Sequence, residues 1–210
     1  MMTDDNLKLR DDLLLAMLPH VPFDGWTATA LRRGAEDAGI DMGGAGEAFP
    51  GGAADMVEHF SDWSDRRMLE ELEGMDLASM RVTERVRTAV QIRLRQAEPH
   101  REAVQRSLAF LSMPQNAVLG AKLLYRTVDA IWHAAGDTAT DWNFYSKRGL
   151  LAGVFGATVL YWLNDRSEDY ADTRDFLDRR LRDVATFGKA TGKLKERFKG
   201  FPRPQRRYRG

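Results

Sequence analysis

The sequence predicts an all-α fold, a bundle of helices packed around a buried core. Apolar residues recur at helical spacing along the chain, and no stretch shows the sustained alternation typical of a β-strand. Fifteen consecutive residues, from Gly149 to Leu163, carry no charge and are apolar on every side of a helix. Such a helix has to be buried, either inside the fold or against a second subunit.

The first elements are predicted from apolar spacing and from stop signals. The opening helix spans about 4–18 and ends at Pro19. Thr27 is a favourable N-cap for a short second helix, which Gly39 ends. A short helix, a glycine turn and another short element, placed after an opening helix, is the order of a helix-turn-helix module.

Longer helices are predicted from there to the apolar segment, at about 54–74, 79–96, 100–113 and 116–135. We divide the chain into a helix-turn-helix-like N-terminal module, a larger helical domain, and a basic C-terminal tail, at 1–60, 61–187 and 188–210.

Charge is balanced in total but uneven along the chain. There are 31 basic and 31 acidic residues, yet 34–65 holds eight acidic residues and no Lys or Arg, whereas 189–209 holds nine basic residues and one Glu. The tail is therefore the plausible contact for an anionic surface. The absence of cysteine suits a reducing compartment, and the N-terminus lacks an apolar signal core. We expect a cytoplasmic protein, peripheral on the inner membrane.

The pattern from Asp24 to Phe60 resembles the N-terminal module of the tetracycline-repressor family. In that family the element after the turn is the DNA-recognition helix. Its equivalent here is rich in glycine and carries Asp41, Glu47 and Asp55, where a helix among phosphates needs Lys or Arg. The expectation is a tetracycline-repressor-like helical bundle whose helix-turn-helix is degenerate and binds no nucleic acid.

The stretch AGDTATDWNFYSKRGLLAGVF, from Ala135 to Phe155, resembles the signature of the ubiquinone biosynthesis accessory proteins. These are the bacterial rpsU-divergently transcribed group, related to the mitochondrial coenzyme Q accessory protein. The residues that carry the resemblance are Gly136, Asp137, Thr140, Asp141, Asn143, Tyr145 and Arg148. The segment from Asp169 to Leu181 resembles the helix that follows in that family.

The resemblance implies a non-enzymatic protein that binds an isoprenoid or phospholipid and docks the di-iron demethoxyubiquinone hydroxylase. The partner-binding patch falls on Asp141, Phe144 and Tyr145. The residues expected on the lipid pocket or on a dimer-forming helix are Leu124, Val128, Leu150, Val154, Phe155 and Val159.

Small residues along the apolar segment, Gly149, Gly153 and Ala157, would let a neighbouring helix approach closely. We expect an isologous homodimer through this helix, although a helix that serves only as core explains the same pattern. A charged substitution such as Gly153→Glu tests this expectation.

The tail continues an amphipathic stripe that begins at Phe176. A basic amphipathic helix can lie in a membrane interface. We prefer a split, in which the first half packs on the apolar helix as part of a dimer interface and only the part after Phe187 is free, because Gly188 and Gly192 are costly inside a helix. The expected membrane contacts are Phe187, Lys189, Lys193, Leu194, Lys195, Arg197 and Phe198.

No catalytic, cofactor or metal motif appears. The four His residues are scattered and none follows a Glu by three positions, so the di-iron pairing of helical bundles is missing. The leading hypothesis is a lipid-binding accessory protein. The alternatives are a ligand-responsive transcriptional regulator of the tetracycline-repressor type and a dimeric scaffold without a ligand.

Overall fold

The computed structural model describes residues 4–136 and 142–198, and the side chains within 4–136 and 146–184. It confirms the all-α prediction, since the described residues contain helices and no strand. The helices are α1 Asp4–Met17, α2 Val21–Asp24, α3 Ala28–Ala38, α4 Met42–Ala48, α5 Ala53–Glu73, α6 Val82–Ala97, α7 Arg101–Leu111, α8 Ala117–Ala134, α9 Trp142–Trp162 and α10 Ala171–Phe198.

The N-terminal module has the caps that its sequence predicts. The Thr27 hydroxyl accepts a hydrogen bond from the Ala30 N–H at 3.4 Å and so caps α3. Gly39 ends α3 with φ of 67°, in the left-handed region that favours glycine. Asp41 then accepts the N–H groups of Gly43 and Gly44 at 2.9 and 3.1 Å and starts the short α4.

The helices α1 and α3 approach each other closely because Gly34 has no side chain. A Cβ added at Gly34 would lie 2.8 Å from the N, Cα and Cβ atoms of Met17, closer than carbon atoms pack. Backbone atoms cannot swing aside as a flexible side-chain end can. The glycine therefore fixes how the first and third helices of the module fit together.

Replacing Gly34 with alanine should lower the free energy of unfolding by about 1–3 kcal/mol, because overpacking outweighs the gain in helix propensity. Gly46→Ala in α4 is the matched control: a Cβ there meets no atom within 4 Å. That control should raise the free energy of unfolding by roughly 0.5–1 kcal/mol. Urea unfolding measures both, and equal effects would contradict the close approach.

The buried residues form two hydrophobic clusters. The first joins α1 to α4 with the start of α5, and Leu13, Val21, Phe49 and Phe60 are among its members. The second, which includes Met68, Ile131 and Trp162, joins the C-terminal part of α5 to α6, α8, α9 and α10. The two clusters meet along α5, which runs through both.

A chain of ion pairs crosses the junction between the two clusters. Asp11 of α1 accepts two hydrogen bonds from Arg66 of α5, at 2.6 and 3.0 Å. Asp62 accepts from Arg66 at 3.0 Å and from Arg126 of α8 at 2.5 Å, and Arg126 also reaches Glu58 at 2.9 Å. The polar contacts therefore tie the N-terminal module to the rest of the bundle.

One helix start differs from the sequence prediction. The helix predicted from Ser79 begins at Val82, because Asp76 caps a 3-10 turn at Leu77–Ser79 and the Arg81 N–H donates to Glu84 at 2.8 Å. The helix α10 itself extends through Gly188 and Gly192.

Candidate functional site

An apolar cavity of about 230 Å³ lies among α5, α6, α7, α8 and α9. Each of these helices turns apolar side chains toward the same space, and the rings of Phe60, Phe155 and Trp162 form part of its wall. Its aliphatic lining includes Leu94, Leu108, Leu111, Leu123, Leu124 and Val159. The site is suited to an apolar molecule and offers few polar groups to orient it.

Two polar side chains in the wall, Arg93 and Thr127, belong to one buried network. The Arg93 Nε donates to Asp65 at 3.0 Å, and the Thr127 hydroxyl donates to the other carboxylate oxygen at 2.8 Å. Burial raises the pKa of Asp65, against the opposing effects of Arg93 and Thr127. Arg93 and Thr127 line the cavity, so this network is the charged and hydroxylic side of an otherwise apolar wall.

The structure places the six predicted pocket or dimer residues in three settings. Leu124, Phe155 and Val159 line the cavity. Val128 and Val154 are buried in the adjoining core, at 0% and 6% exposure, and Leu150 is 38% exposed. Their assignment to a lipid pocket or dimer helix stays a prediction.

The sequence predicts a pocket among the helices from Ser79 to Leu163, a range that includes α6 to α9, and it misses the contribution of α5 to this cavity. Helical spacing puts Phe60 and Leu94 on the inner faces of their helices, but spacing alone does not say which inward residues meet around a void. Trp162 was part of the apolar segment and was not singled out. Its size and its position at the end of the segment were the available signal.

One face of α9 is open in the single chain. Leu160 is 58% exposed, and Leu150 and Tyr161 are 38% and 37% exposed. Gly149 and Gly153 lie on the same exposed face, and a Cβ at either meets no atom within 4 Å. The expectation of burial on every side therefore depends on a second subunit covering this face.

If α9 forms a dimer seam, Gly153→Glu should convert the protein to monomers or aggregate, because each copy would bury an unpaired charge. Gly153→Ala is the matched control and should stay dimeric, since it adds only a methyl group. Size-exclusion chromatography with light scattering distinguishes the two. A well-folded dimer of Gly153→Glu would place the seam elsewhere.

The described part of the aromatic motif packs against the end of α8. Arg148 is 5% exposed and its Nε donates to Asp129 at 2.6 Å. The Lys147 ammonium lies 5.5 Å from the centre of the Trp132 ring, whose N–H donates to the Lys147 carbonyl at 3.2 Å. The basic end of the motif thus fixes α9 on α8.

The predicted partner-binding residues fall largely outside this description. Asp141 lies outside the described residues, and Phe144 and Tyr145 lie in the first turn of α9, where only the backbone is described. Gly136, which precedes the motif, has φ of 82°, and Arg85 donates to the neighbouring Ala135 carbonyl at 3.0 Å. The described residues show how the motif is anchored at both ends.

The first half of α10 packs on α9. Leu177 and Leu181 are buried in the second cluster, and the Phe176 ring stacks on Tyr161 with centres 4.6 Å apart. The predicted membrane contacts all lie beyond the described side chains, at Phe187, Lys189, Lys193, Leu194, Lys195, Arg197 and Phe198. They stay predictions.

The Asp165 carboxylate is hydrogen-bonded to the first turn of α10. It accepts the N–H and hydroxyl of Thr173 at 2.9 and 2.6 Å, and those of Ser167 at 2.8 and 2.7 Å. Burial alone would raise the pKa of Asp165, but these hydrogen bonds outweigh it and lower the pKa to about 2. The ionised carboxylate is therefore the form that the fold stabilises.

Replacing Asp165 with asparagine should cost about 1–2 kcal/mol of unfolding free energy at pH 7, because the side chain loses acceptor capacity. The folded-state pKa lies below the ordinary value of 3.8, so the unfolded chain takes up the proton first. The Asp165 contribution is thus present above pH 3.8 and is lost as the pH falls toward 2. Urea unfolding should show the two proteins converging over that range, and a constant difference would contradict the assignment.

The N-terminal module presents few free cations. Arg32 pairs with Glu36 at 2.8 Å and Arg33 with Asp24 at 3.0 Å. The turn between α3 and α4 adds Asp41, whose carboxylate is engaged by backbone N–H groups. The electrostatic environment of this module is therefore unfavourable for phosphates.

The part of the chain that the structure describes holds neither a metal-binding cluster nor a membrane-spanning helix. No group of three or more His, Asp or Glu side chains is placed to hold a metal ion within the ranges the structure describes. In the same part of the chain, every helix is too short or too polar to cross a membrane.

Comparison with known proteins agrees with both resemblances. The COQ9 family model matches residues 117–188. The mitochondrial ubiquinone biosynthesis protein COQ9 of Rattus norvegicus is 36% identical over 195 residues, which covers 90% of this chain and 62% of that protein. The Homo sapiens protein of the same name is 34% identical, with coverage of 90% and 61%. The chain thus spans about three fifths of the length of these relatives.

Among solved structures, the crystal structure of a TetR transcriptional regulator from Nitrosomonas europaea superposes with a TM-score of 0.69. The match covers 85% of this chain and 98% of the regulator at 22% sequence identity, so it shows the fold alone. The tetracycline-repressor-like bundle is confirmed. Along 90% of its length, the chain is therefore similar in sequence to the COQ9 proteins of ubiquinone biosynthesis.

Proposed function

We propose that this chain is a non-enzymatic accessory protein of ubiquinone biosynthesis that holds an isoprenoid quinone intermediate and presents it to a membrane-associated di-iron hydroxylase. The observation that carries the proposal is the apolar cavity among α5 to α9. The relatives are named for ubiquinone biosynthesis, a pathway whose intermediates carry long apolar tails. Burying such a tail is favourable by roughly 0.8 kcal/mol per CH₂ group.

The size of the cavity limits how the ligand sits. At about 230 Å³ it is below the range of about 300–1,000 Å³ typical of pockets for drug-sized ligands. It accommodates part of an isoprenoid, and the remainder has to extend out between the helices. Partial enclosure suits delivery, because a fully enclosed ligand cannot be passed to a second protein.

The hydroxylase would dock at the start of α9. Asp141, Phe144 and Tyr145 carry this role over from the family resemblance. Lys147 and Arg148, which follow directly, are held on α8 by Trp132 and Asp129. A rigid support of this kind reduces the entropy lost when a partner binds.

The proposal places the protein in the cytoplasm and on the surface of the inner membrane, through the basic end of α10. Each Lys or Arg near an anionic surface contributes about 1 kcal/mol. The helix extends to Phe198, so its basic residues follow without a break from the part that packs on α9. This arrangement would hold the cavity close to the lipid from which the quinone is drawn.

A reconstituted hydroxylation assay tests presentation. Purified hydroxylase in vesicles containing demethoxyubiquinone should turn over faster with the full chain present, and Phe144→Ala should remove most of the gain. Phe23→Ala is the matched control, since Phe23 is 83% exposed in the N-terminal module. Equal stimulation by wild type and Phe144→Ala would contradict this docking site.

A ligand-responsive transcriptional regulator is the second candidate, favoured by the fold of the Nitrosomonas europaea protein. It would require the module around α3 and α4 to bind DNA although Arg32 and Arg33 are both paired with carboxylates. Binding to DNA upstream of its own gene should then weaken steeply with salt. Absence of such binding at low salt would exclude the regulator.

A further inference from the structure

A buried histidine joins the first helix to the helix that runs through both hydrophobic clusters. The His59 side chain on α5 is 2% exposed, and its Nε2 atom lies 2.8 Å from a carboxylate oxygen of Asp11 on α1. The other three histidines of the chain are at least partly exposed. Histidine is the side chain whose charge changes nearest to neutral pH, so its burial at a contact between helices makes that contact sensitive to acid.

The charge of the Asp11 carboxylate is already balanced by another residue. Arg66 of α5 donates to both of its oxygens, at 2.6 and 3.0 Å. An ionised carboxylate only accepts hydrogen bonds, so His59 serves it as a neutral ring with the proton on Nε2. A second proton, on Nδ1, would place two cations at one carboxylate.

The neighbouring residue of α1 adds a further positive charge. The Arg10 guanidinium lies 4.9 Å from the centre of the Phe49 ring, and that ring meets the His59 ring edge-on with centres 5.7 Å apart. Burial lowers the pKa of His59 below its ordinary value of 6.5, and Arg10 lowers it further, against the opposing effect of Asp11. The surroundings therefore favour the neutral imidazole.

The acidic residues of α5 nearest to His59 are engaged elsewhere. Asp55, one turn before it, accepts a backbone N–H at 2.6 Å, and Asp62, one turn after it, accepts from Arg66 at 3.0 Å. The segment before α5, at 49–52, carries no charge. A protonated His59 would thus be a buried cation that has to share its carboxylate with a guanidinium.

The contact lies where the N-terminal helices meet α5. Leu13 and Leu14, which follow Asp11 on α1, are fully buried in the same cluster as Phe60 of α5. The close packing of α1 on α3 makes these two helices move together. Weakening of the Asp11 contact would therefore loosen α1 and α3 from α5 and leave the second cluster packed, because folded proteins open in local units.

We propose that the contact between His59 and Asp11 is an acid-sensitive clamp, which holds α1 and α3 on α5 while the imidazole is neutral and loosens them when it gains a proton. The protonated ring is a buried cation in the closed form and is hydrated in the open form, so the open form binds the proton more readily. The clamp is fully effective above pH 6.5 and weakens as the pH falls from 6.5 toward the lower folded-state pKa. It acts on the N-terminal helices and does not depend on a ligand in the cavity.

Native-state hydrogen exchange of the full chain, from about pH 7.5 to about pH 5, tests the clamp. After correction for the intrinsic effect of pH on exchange, the opening equilibrium at the Leu13 and Leu14 amides should rise by up to about tenfold for each pH unit below 6.5. The amide of Ile131, in the second cluster, should not follow.

Two histidine variants separate the clamp from a general effect of acid. His59→Gln keeps a side-chain N–H for Asp11 but cannot titrate, so it should remove the pH dependence at Leu13. His20→Gln is the matched control, since His20 is 23% exposed and pairs with Asp37 within the N-terminal module. It should behave like wild type.

Three results would overturn the clamp. The first is a pH dependence at Leu13 that survives His59→Gln or is equally lost in His20→Gln. The second is an equal loss of protection at Leu13 and Ile131, which would make acid sensitivity a property of the whole fold. The third needs no variant: an imidazole of His59 that titrates in the wild-type chain at or above pH 6.5, followed by NMR, would show that the closed form does not resist the proton.

Discussion

Replacing Asp65 with alanine is expected to lower the free energy of unfolding by about 3–5 kcal/mol, the largest effect of any single change considered for this fold. Asp65 is 7% exposed and is the described partner of the Arg93 guanidinium and the Thr127 hydroxyl. Without it, a buried cation and a buried hydroxyl lose their acceptor together. Urea unfolding at pH 7, followed by circular dichroism, measures the loss.

The matched control removes both charges. Burial of the ion pair carries a desolvation cost, which is why the pKa of Asp65 is raised even beside Arg93. Asp65→Leu combined with Arg93→Met should therefore be far less destabilising than Asp65→Ala, and close to neutral if the apolar side chains pack well. A double variant as unstable as the single one would show that shape, not charge, decides stability here.

Deleting residues 189–210 is expected to abolish sedimentation with anionic vesicles. The deletion removes nine basic residues and one Glu. Each basic residue near an anionic surface contributes roughly 1 kcal/mol of binding free energy, so the affinity for vesicles should fall by well above a hundredfold. The bundle should stay folded, because Leu177 and Leu181, which pack α10 on the core, are retained.

Salt and lipid composition serve as controls for the deletion. Binding by the full chain should weaken as ionic strength rises and on neutral vesicles, since screening shortens the reach of surface charge. The truncated chain should unfold at a temperature close to that of the full chain. Equal sedimentation of both chains would remove the tail from the membrane contact.

Much of this fold is predictable because local signals and packing agree. Thr27 and Gly39 mark the ends of α3 with side-chain and backbone chemistry that depends on no distant residue. The uncharged segment within α9 likewise indicates a helix that is buried on several faces. Such features can be read from neighbouring residues alone, as the close agreement of helix ends shows.

The site was less predictable because it depends on contacts distant in sequence. Phe60, Leu94, Leu108 and Val159 meet around one void only after five helices have packed. The ion pair of Asp65 and Arg93 joins α5 to α6, and no spacing rule links the two positions.

Native mass spectrometry of the purified full chain, produced in a host that makes ubiquinone, tests the central claim most directly. Gly156→Leu provides the matched variant, because Gly156 lines the cavity and a Cβ there meets no atom within 4 Å. Gly46→Leu, on α4 and equally unobstructed, is the control. We predict an isoprenoid lipid adduct on wild type and on Gly46→Leu, and none on Gly156→Leu. An empty wild-type protein that also fails to take up added quinone would contradict the account.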